Sequence, residues 1–244
     1  MTVRFHEIAE SGHRILDPFS ATKLDLLGRI CAPTAGSRHL DLACGKGEFL
    51  ARLAAEHRTH GVGVDISRVF LDAAAERASE LGVADRLEPV ERDAAMYVAP
   101  EPFDLVSCLG ATWIGDGLAG TLDIMSRSLA PGGTALVGEP FWHEPPPTEA
   151  AAYVGAPDAY TSLAGTAERC DSAGAELVEM VLADADDWDR YEAAQWQAVF
   201  DWLDANPDDP DADALRTWIV DARRWYLTYG RRYLGWGVFV LRPR

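Results

Sequence analysis

Hydrophobic and polar positions follow two different periods through the first 140 residues. Short, nearly continuous apolar runs are typical of strands buried on both faces of a sheet. Between them, apolar residues recur every three or four positions, as they do on one face of a helix. This alternation predicts a parallel α/β sheet with helices on both faces. The predicted strands are 39–42, 61–64, 87–90, 103–109 and 134–138.

Capping residues mark where the helices between these strands begin and end. Ser20 and Ser67 each precede an amphipathic stretch and can accept a hydrogen bond from the first helical turn. Pro33 and Gly82 end those two helices. A further helix is predicted over 118–129, where the Pro-Gly-Gly that follows separates it from the fifth strand.

The second half of the chain contains an acidic, tryptophan-rich segment. The alternating pattern continues there with a helix over 162–173 and strands over 176–182 and 235–241. Residues 184–213 carry eleven carboxylates and one Arg, and six of the eight tryptophans lie after position 187. Apolar positions recur at helical spacing, which predicts two amphipathic helices, the second running from Asp209-Pro210 to Gly230. Their apolar faces either belong to the core or form a lid whose aromatic side chains line a ligand pocket.

Composition and charge exclude several classes of function. Lys and Arg number 22 against 39 Asp and Glu, a formal net charge of −17, which would repel phosphate backbones and anionic lipid surfaces. Nucleic acid is therefore not an expected partner. The chain has no 18-residue apolar stretch and no signal-like start, so we expect a cytoplasmic protein that does not enter a membrane. The four cysteines are irregularly spaced, which predicts free thiols and no metal site.

A glycine turn after the first strand is the most informative segment. Gly45 and Gly47 allow backbone to approach a ligand closely, and the helix that follows offers unpaired N–H groups. Eighteen residues after Gly47, Asp65 ends the next strand, where a carboxylate can accept both hydroxyl protons of a ribose. A dinucleotide fingerprint would need a glycine at position 50, which is Leu, and the spacing of a phosphate loop is also absent. The turn therefore predicts a ligand that has a ribose but no polyphosphate.

Several motifs in this order resemble the class I S-adenosylmethionine-dependent methyltransferases. Asp41, Gly45 and Gly47 match the first motif of that family, with Ala43 in the place of its first glycine. The similarity spans about residues 36 to 141 and continues through Asp65, Asp93-Ala94, Phe103-Asp104-Leu105-Val106 and Leu129-Ala130-Pro131-Gly132-Gly133. It implies a Rossmann-like fold with a seven-stranded mixed sheet in the order 3-2-1-4-5-7-6, the last strand antiparallel. It also implies S-adenosyl-L-methionine as cofactor and S-adenosyl-L-homocysteine as product.

The resemblance assigns particular residues to the cofactor. The glycine turn would wrap the methionine portion, the acid after strand two would bind the ribose, and the acid after strand three would bind the adenine amine. Leu109 would lie beneath the sulfonium. The implied cofactor-binding residues are Asp41, Ala43, Gly45, Gly47, Asp65, Ile66, Asp93, Ala94 and Leu109.

Methyl transfer from a sulfonium mainly requires that the enzyme hold the acceptor in line with the methyl group and exclude water. A general base is needed only when the acceptor is protonated at neutral pH. Candidates are residues above the ends of strands four and five and residues of the N-terminal arm. The catalytic candidates are Glu139, His13 and His143, and for the two histidines a packing or surface role is the alternative. The candidates for the acceptor pocket are Phe19, Thr112, Trp113, Trp142 and Tyr226.

The class of acceptor is narrowed by an absent motif. Residues 108–113, after strand four, lack the Asn/Asp-Pro-Pro-aromatic motif of enzymes that methylate base amines. We therefore expect methyl transfer to O or N of a small organic molecule, by a monomer or homodimer. Two alternatives remain: an S-adenosylmethionine-using enzyme with non-methyl chemistry, and a non-catalytic binding subunit of the same fold. The predicted organisation is an N-terminal helical arm or lid (1–35), a methyltransferase core (36–183 and 231–244) and a helical lid insertion (184–230).

Overall fold

One mixed sheet forms the centre of the molecule in a computed structural model, which describes residues 2–155 and 159–244. Its strands are β1 (Arg38–Leu42), β2 (His60–Asp65), β3 (Leu87–Glu91), β4 (Phe103–Leu109), β5 (Leu129–Trp142), β6 (Ala175–Leu182) and β7 (Leu234–Pro243). Within the described residues they follow the order β3-β2-β1-β4-β5-β7-β6, and β7 is antiparallel to both β5 and β6. The strand order predicted from the sequence is confirmed.

Helices precede and connect the strands, and several of them begin at a residue whose side chain caps the helix. They are α1 (Val3–Ala9), α2 (Ala21–Cys31), α3 (Glu48–His57), α4 (Arg68–Glu80), α5 (Leu118–Ser126), α6 (Thr148–Tyr153), α7 (Leu163–Ser172), α8 (Ala185–Ala205) and α9 (Ala212–Trp225). Ser20 and Ser67 cap α2 and α4 as predicted, because their side chains accept hydrogen bonds from the backbone N–H groups of Lys23 and Phe70. Across the described residues, no helix combines the length and the apolar character needed to cross a membrane.

The core lies in two apolar layers, one on each face of the sheet. Neighbouring residues of a strand point to opposite faces, and Leu136 and Val137 accordingly belong to two different buried clusters. The Val137 layer is shared with α5 and α7, and the Leu136 layer with α2 and α3. Complete burial of a Leu or Val side chain stabilises the fold by about 1.5–3 kcal/mol. The sheet is therefore a firm support for the loops at its carboxyl end.

Strand β5 is longer than the sequence pattern predicts. The predicted helix over 118–129 ends at Ser126, and the strand begins at Leu129 rather than at position 134. The Pro-Gly-Gly lies inside the strand as an irregularity in its pairing with β4. At its other end, β5 extends to Trp142 because antiparallel pairing with β7 continues to Leu234. A partner strand almost one hundred residues away thus sets the length of β5.

The segment between β6 and β7 folds as two long helices, α8 and α9. Val199 and Leu203 of α8 and Leu215 and Ile219 of α9 are buried together, and Ala9 of α1 belongs to the same cluster. The helical stripes predicted from the sequence therefore form a small core of their own. The N-terminal helix α1 is part of that core.

Both predicted boundaries of the second insertion helix are wrong. Asp209 does not cap α9; it forms a turn ahead of it, where its side chain accepts a hydrogen bond from the Asp211 N–H at 3.0 Å and also contacts Arg4. Gly230 does not end the helix either, because its backbone is helical (φ −53°). The chain continues through a π turn, Tyr226–Gly230, into a short helix, Arg231–Tyr233. A Cβ at Gly230 would lie 2.7 Å from the Trp225 ring, so packing explains this glycine.

Candidate functional site

The glycine turn between β1 and α3 has an unusual backbone. Ala43, Gly45 and Gly47 all adopt positive φ angles, of 56°, 53° and 63°. A Cβ on Gly45 would lie 2.6 Å from Cδ1 of Leu16, and one on Gly47 would lie 2.9 Å from Cβ of Ala74. The glycines are therefore required both by the turn itself and by the close approach of other parts of the chain.

Asp65, at the end of β2, is joined directly to this turn. Its Oδ2 accepts a hydrogen bond from the Gly45 N–H and its Oδ1 one from the Ser67 N–H, each at 2.8 Å. Burial raises the pKa of Asp65, and these two hydrogen bonds partly oppose that effect. The sequence predicts that Asp65 binds the ribose and that the glycine turn binds the methionine portion of the cofactor. The structure joins these two features by a hydrogen bond.

Asp41 precedes the turn and is buried. Its Oδ1 accepts a hydrogen bond from Ser107 Oγ at 2.5 Å, and that hydroxyl lies 2.7 Å from His39 Nε2. Burial raises the pKa of Asp41 to about 7 and lowers that of His39 to about 3. Asp41 is therefore joined to β4 through Ser107, directly before the glycine turn.

The adenine end of the expected site is open to solvent. Ile66 is 62% exposed, and Trp113, on a 3-10 turn (Thr112–Gly115), is 71% exposed. That turn contacts a second 3-10 turn (Ala94–Met96), in which Ala94 is buried. Asp93 is exposed, and its carboxylate accepts a hydrogen bond from the Ala95 N–H at 2.9 Å. Asp93 and Ile66 are accordingly accessible to a ligand.

The N-terminal residues 2–20, which we call the arm, cross over the glycine turn. Lys46 Nζ donates hydrogen bonds to three arm carbonyls, those of Glu10 (2.7 Å), Ser11 (3.2 Å) and His13 (2.6 Å). Leu16 of the arm lies against Gly45, and Asp17 Oδ1 occupies the space that a Cβ on Gly110 would need. The arm therefore runs from the turn after β1 to the residue that follows β4.

The arm is also bound to α8. Glu10 is completely buried, and its Oε1 accepts hydrogen bonds from Tyr191 (2.6 Å) and Gln195 (2.8 Å). His13 Nδ1 lies 2.8 Å from the other carboxylate oxygen of Glu10. Next to the arm, Lys23 Nζ donates to Asp184 at 2.7 Å. The arm is thus connected to the insertion (residues 184–230), and we call the two together the cover.

The structure does not bring the three catalytic candidates together. Glu139 is buried on the face of β5 that packs against α5 and α7, where Thr112 Oγ1 donates to it at 2.7 Å. His143 is exposed, and the edge of its ring meets Phe141 at a centroid distance of 5.1 Å. His13 is held against Glu10. Burial raises the pKa of Glu139 to about 7, which the Thr112 hydrogen bond partly opposes.

Most of the acceptor-pocket candidates are packing residues in this structure. Phe19 is mostly buried against Trp236, with ring centroids 5.0 Å apart, and it also contributes to the wall of the cleft described below. Tyr226 is 2% exposed and donates its hydroxyl to Asp189 at 2.7 Å. Trp142 is also buried, and Thr112 is occupied with Glu139. Of the five, only Trp113 presents its side chain to solvent.

A cleft of about 540 Å³ opens between the arm and α8. Its walls are formed by residues 12–20 on one side and by residues 186–197 of α8 on the other, and Asp17 and Tyr191 are among its lining residues. A smaller cavity of about 170 Å³ lies under the turn, between α4 and strands β2 and β3, and is mainly apolar. Among the residues that the structure describes, no group of three or more His, Cys, Asp or Glu side chains is arranged to hold a metal ion.

Sequence reasoning missed Asp17, Leu16 and Lys46. Each acts through a contact with a distant part of the chain, and none belongs to a repeating pattern. The one available signal was the position of Lys46 between two glycines of the turn. A long cationic side chain at a turn can reach carbonyl groups that cover it.

Comparisons with known proteins show what the whole chain is similar to. Residues 40–133 match the family described as a methyltransferase domain. The Escherichia coli (strain K12) protein YjhP is 45% identical over 244 residues, covering 99% of this chain and 98% of that protein. An S-adenosylmethionine-dependent methyltransferase from Geobacter sulfurreducens, solved in complex with S-adenosyl-L-homocysteine, has a TM-score of 0.95 at 44% identity and covers 100% of this chain and 99% of its own. The corresponding Thiobacillus denitrificans enzyme, also solved with S-adenosyl-L-homocysteine, gives a TM-score of 0.94 at 44% identity with the same coverage.

Proposed function

Because this chain belongs to the S-adenosylmethionine-dependent methyltransferases, we propose that it transfers the methyl group of S-adenosylmethionine to an oxygen or nitrogen of a small organic molecule. The strongest support comes from the glycine turn and Asp65, which are joined by the hydrogen bond from the Gly45 N–H. We call this pair of features the cradle. It lies at the carboxyl ends of β1 and β2, where open parallel sheets bind their ligands.

The residues of the cradle fit an adenosyl ligand. A carboxylate at the end of β2 can accept the ribose hydroxyl protons, and Ile66 and Asp93 offer an exposed apolar surface and a carboxylate to the adenine. We assign the methionine portion to Asp41, Ala43, Gly45 and Gly47, with Leu109 under the sulfonium. When bound, the cofactor supplies an electrophilic methyl group.

The chain's own contribution is to position the acceptor and keep water out. Positioning of this kind can lower a reaction barrier by roughly 7–11 kcal/mol, so a catalytic triad is not required. We propose that the arm and the insertion close over the site as a single cover, held together by Glu10 and Tyr191. The covered space suits a small molecule, and the net charge of −17 disfavours nucleic acid.

Calorimetry with S-adenosylhomocysteine tests the cradle. We expect Asp65→Ala to weaken binding by about 1.5–3 kcal/mol, the scale of a hydrogen bond to a charged group. Asp72→Ala is the matched control, because Asp72 is an exposed acid of α4 paired with Arg68. Unchanged affinity in Asp65→Ala, with the fold intact, would remove Asp65 from the site.

A methyl-labelled donor tests the reaction itself. Incubation with pools of small alcohols and amines should transfer the label to an acceptor while S-adenosylhomocysteine forms. Label that stays entirely with the sulfur product would point to non-methyl chemistry instead. Binding of S-adenosylhomocysteine without turnover on any acceptor would favour a binding subunit.

A further inference from the structure

The cleft between residues 12–20 and α8, which we call the arm–α8 cleft, leads to the end of β4. Its walls combine apolar side chains, such as Ile15 and Phe19 from the arm, with polar and charged side chains in similar proportion. Its volume of about 540 Å³ is in the range of pockets that hold small organic ligands. The cleft is thus a route by which a small molecule could reach the carboxyl end of the sheet.

Asp17 lies among the lining residues, beside Gly110. Gly110 directly follows β4 and adopts a φ of 81°, and the absence of a side chain there makes room for Asp17 Oδ1. In the ranges 2–155 and 159–244, the Asp17 carboxylate has no hydrogen-bond donor and no cationic partner. Asp17 is partly buried, and a carboxylate that is shielded from water without a partner is costly to the folded state. Such a group is explained if a ligand supplies the partner.

The charges around Asp17 favour a cation. Glu10 and Asp41 are close enough to raise its pKa further above the ordinary value, in addition to the larger effect of burial. Tyr191, from α8, and Cys108, from β4, are the other titratable groups that face it. None of these four groups carries a positive charge at neutral pH. A cation at this position would be attracted by three carboxyl groups.

The cationic side chains of the cleft are committed elsewhere. Arg14 pairs with Glu80 at 3.4 Å, and Arg190 lies 3.8 Å from Asp186 on its own helix. Lys23, near the mouth, is bound to Asp184 and Asp187. Asp17 therefore differs from the other acids lining the cleft, because Asp186 and Asp187 already have partners.

We propose that the arm–α8 cleft binds the methyl acceptor and that Asp17 holds an ammonium or amine group of that acceptor beside the end of β4. The acceptor is then a small amine: its ammonium proton passes to the Asp17 carboxylate, the nitrogen lone pair bonds to the methyl carbon, and the bond from that carbon to sulfur breaks to leave S-adenosylhomocysteine. This inference rests on the proposed function and adds the class of substrate to it. The ammonium group of the cofactor is the rival partner for Asp17, and the two are separated by experiment.

Binding measurements on the protein saturated with S-adenosylhomocysteine test the assignment. The probes are benzylamine, phenethylamine and propylamine, with benzyl alcohol and phenylacetate as neutral and anionic controls of similar shape. We expect at least one amine to bind with saturation, and both controls to bind about tenfold more weakly or not at all. Phenylacetate binding as tightly as the best amine would overturn the proposal, and so would the absence of binding by all three amines.

Two variants locate the binding. Asp17→Asn keeps the size of the side chain and should weaken amine binding by about tenfold or more, while the affinity for S-adenosylhomocysteine changes less than about twofold. Asp201→Asn, at an exposed acid of α8 outside the cleft lining, is the matched control and should leave amine binding unchanged. Ala194→Trp should block the cleft and weaken amine binding without touching Asp17.

Three results would contradict this inference. Amine binding that is equal in the wild type and in Asp17→Asn would remove Asp17 from the acceptor site. A tenfold loss of S-adenosylhomocysteine affinity in Asp17→Asn would assign Asp17 to the cofactor. Unchanged amine binding in Ala194→Trp would place the acceptor outside the cleft. All three leave the methyltransferase function itself intact, since that depends on label transfer and on Asp65.

Discussion

Ala43 holds a backbone conformation that usually belongs to glycine. Its φ of 56° lies in the left-handed region, which costs a residue with a Cβ about 1–2 kcal/mol. Gly45 and Gly47 adopt the same region without this cost. The turn is thus strained at the one position where the family motif has been replaced by alanine.

Ala43→Gly should relieve that strain. We expect the free energy of unfolding to rise by about 0.5–1 kcal/mol, because the relief exceeds the extra entropy that glycine gives the unfolded chain. Urea unfolding would measure it. The matched control is Ala55→Gly in the exposed surface of α3, which should destabilise by about 1 kcal/mol. A similar loss in both variants would show that Ala43 is not strained.

Glu139 gives the stability of the protein a recognisable pH dependence. Its pKa is raised from 4.5 to about 7 by burial, so between these values the folded protein keeps a proton that the unfolded chain has released. Stability is therefore lost as the pH rises through this range, by up to about 3 kcal/mol.

Glu139→Gln should remove the contribution of Glu139 to the pH dependence of stability. Between pH 4.5 and 8, the stability of the wild type should fall relative to the variant by about 3 kcal/mol, while Thr112 keeps an acceptor for its hydroxyl. Urea unfolding at several pH values measures the difference. Glu56→Gln, at an exposed position of α3, should leave the wild-type slope unchanged. Parallel curves for the wild type and Glu139→Gln would mean that Glu139 titrates alike in both states.

At the scale of single elements, signals that depend on adjacent residues could be predicted from the sequence, and those that depend on distant contacts could not. Ser20 and Ser67 cap their helices because the cap is a hydrogen bond three residues along the chain. Gly230 failed as a stop signal because Trp225 packs where its side chain would be. Asp209 failed as a cap because its carboxylate turns to the Asp211 N–H and to Arg4, which lies at the other end of the chain.

The same distinction between adjacent and distant residues applies to the candidate site. The glycine turn and Asp65 could be predicted because a strand, a turn and a strand end are close together in the sequence. The contacts of Lys46 with Glu10 and His13 join segments more than thirty residues apart, and no periodicity marks them. The cover over the turn therefore required the folded structure.

Lys46 should control access to the turn. Replacing it by Met removes three hydrogen bonds from a charged donor to arm carbonyls, so we expect local opening of the arm to become easier by about 2–3 kcal/mol. Hydrogen exchange should accelerate at residues 10–16, and S-adenosylhomocysteine should dissociate about 30-fold faster or more in stopped-flow fluorescence, since each 1.4 kcal/mol is a factor of about ten. Arg127→Met, which removes an exposed ion pair on α5, is the control and should change neither. Faster arm exchange with unchanged dissociation would mean that the arm does not cover the ligand.

At the scale of the whole molecule, the sheet and the cover are stabilised by different kinds of interaction. The sheet is held by two apolar layers. The arm and insertion share a smaller apolar cluster and several polar contacts, among them Glu10 with Tyr191 and Arg4 with Asp209. Polar contacts of this kind contribute less than a buried core. We therefore expect the cover to open before the sheet unfolds.

Tyr191→Phe tests whether the arm and α8 open together. The variant removes the hydroxyl that donates to Glu10 at 2.6 Å and to the Leu16 carbonyl at 3.3 Å, which should make opening easier by about 1.5 kcal/mol. Hydrogen exchange should then accelerate roughly tenfold in residues 2–17 and in α8 alike, while the strands of the sheet keep their protection. Tyr229→Phe serves as the control, because the Tyr229 hydroxyl has no hydrogen-bond partner in the part of the chain that the structure describes. Acceleration confined to the arm or to α8 would show that they move independently, and the cover would then consist of two separate parts.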